Sequence, residues 1–449
     1  MPNSAAENAV TAETSRDTAP SDDAGTDVPE EVRGAIRSVG ERARRARHEL
    51  ATAGRARKDE TLRAMAGKLR LNTSHLISEN KKDVAVGRES GTSEAMLDRL
   101  SLDAGRIEDL AVALEGLAAL PDPVGDVVRG RNLPNGLRMT QVRVPLGTVG
   151  AIYEARPNVT VDIAGLALKS GNAVILRGGS AARNTNAALI SILREVAVDQ
   201  GFEADIIQGI DQHGRAGASA LMSERGVVDV LIPRGGHDLI QSVVRNARVP
   251  VIETGEGNVH LFIDASAPVK MAVDIALNAK TQRVSVCNAA ETLLIHAQAE
   301  EAGREVLRAL SRTGVYLHVD DGARAWLPAG AQAETARDED WGREYLALEM
   351  AVKTVDSLDE AIEHIQRWST GHTEAIVTND LANADRFVTE IDSAAVIVNA
   401  STRFTDGGQL GLGAEVGIST QKMHARGPMG LEELTTTKWV LRGEGQVRI

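Results

Sequence analysis

Short apolar runs alternate with helix-like stretches through the middle of the chain, and this alternation constrains the fold more than any other feature. The runs "GTVGAIYEA" and "NAVILRGG" read as buried strands, and "VTVDIAGLALKS" between them has the apolar spacing of a helix closed by Gly171. Further runs continue the strand series, namely "ADIIQGI", "VDVLIPRGG" and "VPVIETG". Strands joined by helices form right-handed parallel crossovers, so a doubly wound α/β domain is predicted.

A second α/β unit is predicted after residue 257. It begins near "NVHLFID", continues with the helix "VKMAVDIALNAKTQ", and includes the strands "ETLLIHA", "EAIVTN" and "SAAVIVNA". Before the first unit, residues from Glu30 to about Leu120 are rich in Ala, Arg, Glu and Leu at helical spacing, which predicts an N-terminal helical layer.

A β-hairpin is predicted between the helical layer and the first sheet. Asn135-Gly136 lies between residues of alternating polarity, which is the strongest short signal for such a turn. The C-terminal segment "LEELTTTKWVLRGEGQVRI" is β-prone through its Thr and Val content and could complete a sheet with the hairpin. An exposed ribbon of this kind is a candidate for pairing with another subunit.

The composition excludes several classes of function. A net charge of −13 and 2% aromatic residues disfavour nucleic acid as a partner, and no run of about 18 apolar residues predicts a membrane span. One cysteine, without a CxxC or Cys/His cluster, predicts no disulfide, no metal site and a cytoplasmic location. Residues 1–29 are polar and acidic, lack the features of a signal peptide, and predict a disordered tail.

The common nucleotide-binding motifs are absent, but two glycine pairs occur where a phosphate could bind. Neither G-x-G-x-x-G nor the P-loop is found. Gly178-Gly179 and Gly235-Gly236 each follow a predicted strand and precede a predicted helix. Glycine there lets a phosphate approach backbone N–H groups at a helix N-terminus. The alternative for each pair is a tight strand-to-helix turn.

Three long motifs, in order, resemble one known family. The stretch "VPLGTVGAIYEARPNVTVDIAGLALKSGNAVILRGGSAA", the segment "NAKTQRVSVCNAAETLLIH" and the end "GPMGLEELTTTKWV" closely resemble the gamma-glutamyl phosphate reductase family, a member of the aldehyde dehydrogenase superfamily. The likeness runs from about residue 32 to the C-terminus. It implies an α/β, aldehyde dehydrogenase-like fold with two doubly wound Rossmann-type domains and a small β oligomerisation flap.

The resemblance also implies a division of the chain and a reaction. It assigns 30–127 and 147–257 to an NADP(H)-binding domain, 258–430 to a catalytic domain, and 128–146 with 431–449 to the flap. The reaction is the reduction of L-glutamyl 5-phosphate by NADPH to L-glutamate 5-semialdehyde and phosphate, in proline biosynthesis. A homo-oligomer, either a dimer or a tetramer, is expected. A contact with glutamate 5-kinase is a further hypothesis.

Cys287 is the position that matches the catalytic cysteine of the family. A thiolate would attack the acyl phosphate to give a thioester, which hydride from the nicotinamide then reduces. Backbone N–H groups near the loop, with Arg283 four residues earlier, could lower the thiol pKa. Taken without the motif, a lone cysteine in an apolar stretch is an inert buried thiol. The family commonly has proline where this chain has Val284, which puts the rigidity of the loop in doubt.

Cofactor-binding positions follow from the same resemblance. Arg177 stands where relatives outside the family carry a lysine, and Ser180 stands at or next to their acidic residue. A cation and a hydroxyl without that acid suit a 2′-phosphate, so NADPH is preferred to NADH. Gly178, Gly235 and Gly236 match the glycine turns. Glu349 matches the glutamate that contacts the nicotinamide ribose, and its alternative is a solvated carboxylate at a strand end.

The oxyanion donor is ambiguous by two residues. Asn158 lies in the segment that supplies the superfamily's side-chain donor, but Arg156 could hold that place or bind the substrate carboxylate or phosphate. The alternative for Asn158 is a helix N-cap. Glu253 lies where hydrolytic aldehyde dehydrogenases carry a water-activating base, and Glu256 is close enough to confuse the alignment, so neither receives a role.

The segment "NASTRFTDGGQLGLGAEVGISTQKMHARGP" is read as a loop lining the substrate pocket, and a mobile solvated loop is its alternative. Arg403, with Arg283 and Arg156, is a tentative substrate residue, and Lys422 and Arg426 add positive charge. Two other functions stay open, namely a phosphate-independent, hydrolysing aldehyde dehydrogenase and a non-catalytic scaffold.

Overall fold

The computed structural model describes residues 28–154 and 156–448 of the chain. The tail predicted over residues 1–29 lies outside these residues except at its last two positions. The described chain opens with the helices α1 (Glu30–Thr52), α2 (Arg55–Leu71), α3 (Thr73–Glu89), α4 (Glu94–Leu100) and α5 (Ala104–Ala119). Helix α1 buries a stripe of apolar side chains that includes Ile36, Ala43 and Leu50. The predicted helical layer is therefore confirmed.

The Asn135-Gly136 hairpin forms as the sequence predicts. Its strands are β1 (Val127–Asn132) and β2 (Arg138–Pro145), which pair antiparallel with Asn132 opposite Arg138. Gly136 has a φ of +86°, a left-handed conformation that glycine adopts without steric strain. All residues of β1 are exposed, so this edge of the hairpin is open.

A parallel sheet with the strand order β5-β4-β3-β6 follows the hairpin. Its elements are β3 (Thr148–Tyr153), α6 (Pro157–Lys169), β4 (Ala173–Arg177), α7 (Arg183–Asp199), β5 (Ile207–Gly209), α8 (Gly214–Ser223), β6 (Val230–Arg234) and α9 (His237–Asn246). Helices α2, α5, α6 and α7 pack on one face, and α1, α8 and α9 pack on the other. Gly171 follows α6 with a φ of +80°, as predicted.

The strand predicted over "VPVIETG" is wrong. Val251 makes only an isolated bridge to Leu231 of β6. Beyond it the backbone turns to the C-terminal loop, where the Glu253 amide donates to Oε1 of Gln421 at 3.0 Å and the Gly255 amide donates to the carbonyl of Ile418 at 2.8 Å. These bonds replace a sheet ladder, so the segment is a connection between the two sheets.

A second parallel sheet has the strand order β10-β9-β11-β8-β7-β12-β13. Its elements are β7 (Val259–Ile263), α10 (Val269–Thr281), β8 (Ala290–His296), α11 (Glu300–Arg312), β9 (Tyr316–Val319), α12 (Asp321–Arg324), β10 (Ala333–Thr335), β11 (Glu349–Val355), α13 (Leu358–Trp368), β12 (Thr373–Val377), α14 (Leu381–Glu390) and β13 (Ala395–Val398). One apolar core contains α10 and α11, and the other contains α13 and α14. The second α/β unit is therefore confirmed.

The C-terminal strand returns to the hairpin. The last strands are β14 (Ile418–Ser419), β15 (Gly427–Pro428) and β16 (Thr435–Arg442). Strand β16 pairs antiparallel with β2 along its whole length, with Thr435 opposite Pro145 and Arg442 opposite Arg138. The predicted sheet of hairpin and C-terminal strand is thus confirmed. Within the described part of the chain, none of the helices has the length and apolar character needed to cross a membrane.

Candidate active site

Cys287 lies in a turn directly before β8, and Asn288 fixes this turn to the loop that follows β13. The Asn288 side-chain amide donates to the carbonyl of Thr405 at 2.8 Å, and the Asn288 carbonyl accepts from Thr402 Oγ1 at 2.7 Å. Cys287 as a whole residue is half-buried. The turn therefore holds the Cys287 sulfur in place at the amino end of a central strand of the second sheet.

Gly257, in the connection between the two sheets, contacts the backbone of the cysteine turn. A Cβ atom at Gly257 would overlap the carbonyl group of Cys287. The Gly257 amide donates to Glu344 Oε1 at 3.0 Å. Only glycine fits this approach, which couples the cysteine turn to the connection that leads back to the first sheet.

Arginines from four parts of the chain lie near the cysteine turn. Arg156 lies at the N-cap of α6, just beyond β3, and Arg234 ends the neighbouring strand β6. The charges of Arg156, Arg234 and Arg403 all act on Cys287. Arg99 of α4 donates through Nη2 to the carbonyl of Ser285 at 3.4 Å. The carboxyl ends of β3 and β6 thus face the cysteine turn with positive charge.

Burial dominates the ionisation of these groups. It raises the pKa of the Cys287 thiol to about 11, although the Arg234 charge acts in the opposite direction. The lowered thiol pKa expected from Arg283 is therefore wrong, because desolvation of the thiolate outweighs the nearby cations. Burial, with the charges of Arg234 and Arg99, lowers the pKa of Arg156 to about 10, which leaves it protonated at neutral pH.

Two carboxylates in the site were not found by sequence reasoning. Glu415 lies 3.7 Å from Arg234 and accepts from the Gly407 amide at 2.9 Å, and burial raises its pKa. Glu344 accepts from Gly257, and burial raises its pKa as well. Both charges raise the pKa of the Cys287 thiol. Neither residue stands in a motif that marks such a role.

Arg156, and not Asn158, is the residue that the structure brings to the thiol. Arg156 occupies the N-cap position of α6, and Asn158 is the second residue of the helix, so the N-cap alternative for Asn158 is wrong. The exposed Asn158 side chain donates to Asp162 Oδ2 at 3.1 Å. Burial raises the pKa of Asp162 to about 6. An oxyanion role for Asn158 stays a prediction.

The end of β4 carries the residues predicted to bind the adenosine part of a cofactor. Arg177 is half-buried, and burial lowers its pKa while Asp211 attracts its charge. The Gly178 amide donates to Asp211 Oδ1 at 2.7 Å, and a Cβ at Gly178 would overlap the Asn186 side chain. The absence of a side chain at Gly178 thus serves packing within the chain. Ser180, which begins a short 3-10 helix, is exposed.

The second glycine pair stands at the start of α9. The Gly236 amide donates to Glu154 Oε2 at 3.0 Å, and a Cβ at Gly235 would lie 2.8 Å from the same oxygen. Glu154 therefore caps the N-terminus of α9, where the helix dipole favours negative charge. This terminus attracts anions, which is the property that a pyrophosphate site needs.

Glu349 lies at the start of β11, with its Oε2 atom 3.4 Å from His318 Nε2. Burial lowers the pKa of Lys280, and the Glu349 charge acts in the opposite direction. Glu344, five residues earlier in "GREYLALEM", is the carboxylate beside the cysteine turn. The segment contains both glutamates, and sequence spacing could not choose between them. Contact of Glu349 with a ribose stays a prediction.

Glu253 and Glu256 are engaged with neighbouring side chains. Glu253 accepts from Gln241 at 3.4 Å and from Gln421 at 3.5 Å. Glu256 lies 2.5 Å from His237 Nδ1. Among the described residues, no hydrogen bond joins either carboxylate to Cys287.

The cations of the C-terminal loop divide between the site and the surface. Arg403 donates to Gln282 Oε1 at 2.7 Å, and the exposed Arg283 lies close enough for its charge to lower the pKa of Arg403. Lys422 and Arg426 instead form ion pairs with Asp392 at the surface. The structure therefore brings Arg403 to the thiol and directs Lys422 and Arg426 elsewhere.

Comparison with known proteins agrees with this geometry. The model of the aldehyde dehydrogenase family matches residues 10–340 and 349–440. The gamma-glutamyl phosphate reductase of Kineococcus radiotolerans is 55% identical over 433 residues, which is 96% of this chain and 99% of the relative. That of Leifsonia xyli subsp. xyli is 58% identical over 407 residues, 90% and 96% of the two chains. The chain belongs to the gamma-glutamyl phosphate reductase family.

The fold of this chain is also similar to solved structures. The gamma-glutamyl phosphate reductase of Thermotoga maritima superposes with a TM-score of 0.89 at 45% identity, over 92% of this chain and 100% of the other. An acetylating aldehyde dehydrogenase from Geobacillus thermoglucosidasius gives a TM-score of 0.69 at 19% identity, over 94% and 100%, which supports the fold alone. The aldehyde dehydrogenase-like fold expected from the sequence is therefore confirmed.

Proposed function

We propose that this chain reduces L-glutamyl 5-phosphate with NADPH to L-glutamate 5-semialdehyde and inorganic phosphate, as a step of proline biosynthesis. The observation that carries the proposal is the position of Cys287, half-buried in a fixed turn and surrounded by arginines from both halves of the chain. Relatives that cover nearly the whole chain carry the name gamma-glutamyl phosphate reductase. An anionic acyl phosphate suits a nucleophile surrounded by positive charge.

The residues around Cys287 support formation of a thioester. The sulfur attacks the acyl carbon, the bond from that carbon to the bridging oxygen breaks, and phosphate leaves with the bonding electrons and takes up the proton that the thiol loses. The Arg156 and Arg234 charges favour the thiolate and the developing negative charge on the substrate. After reduction, the carbon–sulfur bond breaks as the aldehyde is released, and Cys287 is free again.

The cofactor side of the site fits a nicotinamide dinucleotide phosphate. Arg177 and the exposed Ser180 offer a cation and a hydroxyl at the end of β4 for a 2′-phosphate, and the Asp211 carboxylate beside them is held by the Gly178 amide and the Asn186 side chain. Gly235 and Gly236 would approach the pyrophosphate at the N-terminus of α9, which already attracts Glu154. When bound, NADPH supplies the hydride that converts the thioester to the aldehyde.

Glu253 makes its hydrogen bonds away from the cysteine turn. A base that activates water must reach the thioester, whereas Glu253 is hydrogen-bonded to Gln241 and Gln421. A phosphate-independent dehydrogenase therefore gains no support from this carboxylate.

The small sheet of β1, β2 and β16 supports a proposal of self-association. Trp439 and Leu441 of β16 are about half exposed, and strand β1 leaves an open edge. We expect a dimer or tetramer that uses this flap, in the cytoplasm. A contact with glutamate 5-kinase stays a hypothesis that the chain's geometry does not address.

The proposed reaction is tested in its reverse direction. Purified protein is mixed with L-glutamate 5-semialdehyde and either NADP or NAD, with and without phosphate, and the absorbance of the reduced cofactor is followed. We expect turnover that requires phosphate, prefers NADP and disappears in Cys287→Ala. Equal rates without phosphate would support the hydrolysing enzyme, and unchanged rates in Cys287→Ala would remove Cys287 from the reaction.

A further inference from the structure

Among the described residues, two of the arginines near Cys287 form no ion pair. Arg234 pairs with Glu415 at 3.7 Å, and Arg403 donates to Gln282 at 2.7 Å. Neither Arg99 nor Arg156 has a carboxylate oxygen within 4.0 Å in this part of the chain, and the more distant Glu154 charge acts on Arg156. Both side chains are partly buried. The positive charge on the side of the thiol that faces β3 and α4 is therefore only partly balanced.

Burial and neighbouring cations both disfavour the charged form of Arg156. Burial, followed by the charges of Arg234 and Arg99, lowers the pKa of Arg156 to about 10, and these cations repel one another. Arg99 donates one N–H to the Ser285 carbonyl at 3.4 Å and one to Met96 Sδ at 3.9 Å, and its other guanidinium N–H groups make no further hydrogen bond within the described residues. An anionic ligand would relieve the repulsion and use these donors.

The position of Arg99 indicates which anion would bind. Ser285 lies two residues before Cys287, so Arg99 is attached to the same turn as the nucleophile. In the proposed substrate the phosphoryl group is bonded to the carbon that the sulfur attacks, whereas the glutamyl carboxylate is several bonds away. Guanidinium groups also match phosphate oxygens in two-pronged hydrogen bonds.

We infer that Arg99 and Arg156 together bind the phosphoryl group of the acyl phosphate and hold the phosphate as it leaves. The inference rests on the proposed function and adds a residue from the N-terminal helical layer to the phosphate site. Neither guanidinium group transfers a proton in this step. They stabilise the negative charge that collects on phosphate as the carbon–oxygen bond breaks.

The test compares the Michaelis constants of phosphate and aldehyde in the reverse reaction. Arg99→Ala and Arg156→Ala should each raise KM for inorganic phosphate by roughly tenfold or more, the effect of losing a charge-assisted hydrogen bond. KM for L-glutamate 5-semialdehyde should change by less than roughly threefold. Arg99→Lys should raise KM for phosphate less than Arg99→Ala does, because lysine keeps the positive charge but cannot form the two-pronged hydrogen bonds of a guanidinium group.

A matched control is Arg88→Ala, which removes an exposed arginine from the neighbouring helix α3 and should leave both constants unchanged. If wild-type turnover needs phosphate but Arg99→Ala keeps its KM for phosphate, or raises both constants equally, the inference is overturned and the proposed function stands. If wild-type turnover does not need phosphate, the proposed function fails, and the inference fails with it.

A second measurement does not depend on turnover. Inorganic phosphate should slow alkylation of Cys287 by iodoacetamide in the wild type, since the bound ion lies beside the sulfur. The same phosphate concentration should give much weaker protection in Arg99→Ala and Arg156→Ala, and full protection in Arg88→Ala. Equal protection in all four proteins would overturn the assignment even if the variants had lost activity.

Discussion

Cys287 is held by burial in its protonated form when the site carries no substrate. The pKa of its thiol is raised to about 11, and it is the single cysteine of the chain, so alkylation reports on it alone. The rate of iodoacetamide labelling should rise by about tenfold per pH unit from pH 7 to pH 9, because only the thiolate reacts. In urea-unfolded protein, the labelling rate should instead stop rising at a pH near the ordinary pKa of a cysteine thiol. A plateau below pH 8 in the folded protein would contradict the burial.

Gly257 offers a sharper test of single-residue geometry. A methyl group there would overlap the Cys287 carbonyl, so Gly257→Ala should displace the turn and lower kcat at least tenfold, roughly the effect of misplacing a reacting group by about 1 Å. Gly67→Ala is the matched control, since nothing lies within 4 Å of its added carbon in α2. Gly67→Ala should keep full activity. Equal activities in the two variants, measured as phosphate-dependent NADP reduction, would show that the turn tolerates the methyl group.

At the scale of elements, a buried ion pair supports the segment that carries Glu344. Lys280 of α10 and Glu291 of β8 are both fully buried and paired, and Glu291 Oε1 accepts from the Leu346 amide at 3.2 Å. Leu346 has a φ of +53°, a left-handed conformation that a leucine rarely adopts. The pair thus links the helix before the cysteine turn, the strand after it and the strained turn at Leu346.

Removing only Lys280 should lower the free energy of unfolding more than replacing both members of the pair. Lys280→Met leaves Glu291 buried without its cation, and should lower the free energy of unfolding by about 3–5 kcal/mol. The double variant Lys280→Met with Glu291→Gln keeps an acceptor for Leu346 and should recover most of that loss. Urea denaturation of both variants measures the difference. If the double variant is no more stable than the single one, the buried charge is not the source of the loss.

At the scale of the whole molecule, buried histidines should make the fold sensitive to acid. His372 is fully buried, its Nδ1 lies 2.8 Å from Thr373 Oγ1, and burial, aided by the Arg234 charge, lowers its pKa from 6.5 to about 3. Between pH 6.5 and pH 3, His372 is therefore protonated in the unfolded chain and neutral in the folded chain. This contribution to stability is complete above pH 6.5 and is lost as the pH falls toward 3.

The histidine effect is measured as a difference, because other groups oppose it. Burial raises the pKa of Asp162 to about 6 and of Glu291 to about 7, so these carboxyls favour the folded state as the pH falls. The stability of the wild type relative to His372→Asn should decrease by up to about 1.4 kcal/mol per pH unit below pH 6. A difference that stays constant between pH 7.5 and pH 5 would contradict a neutral buried imidazole.

Features that depend on a few neighbouring residues could be predicted from the sequence, whereas strand pairing depends on residues far apart in the chain. The hairpin at Gly136 and the end of α6 at Gly171 follow from backbone preferences within a few residues, so the sequence was sufficient. The wrong strand at "VPVIETG" had the right composition, but among the described residues only the Ile252 amide bonds to β6, and the Glu253 and Gly255 amides bond to the C-terminal loop. Which backbone groups these amides bond to depends on the whole fold and not on the local sequence.

The site divides in the same way. The sequence indicated Cys287 because a motif surrounds it, Arg156 because it stands in a segment that carries the resemblance, and Arg403 because it stands in the predicted pocket loop that begins at Asn399. Arg99 approaches Ser285 across 186 residues of sequence, and no local signal marks it. The raised thiol pKa could not be predicted either, since it depends on how many neighbours exclude water from the sulfur.

The central claim is that Cys287 carries a thioester which only phosphate releases, and one rapid-mixing measurement tests it. Protein is mixed with NADP and L-glutamate 5-semialdehyde in phosphate-free buffer, and phosphate is added later. We predict a burst of close to one NADPH per chain, then little turnover until phosphate arrives, and no burst in Cys287→Ala. Steady NADPH formation without phosphate, or a burst in Cys287→Ala, would contradict the claim.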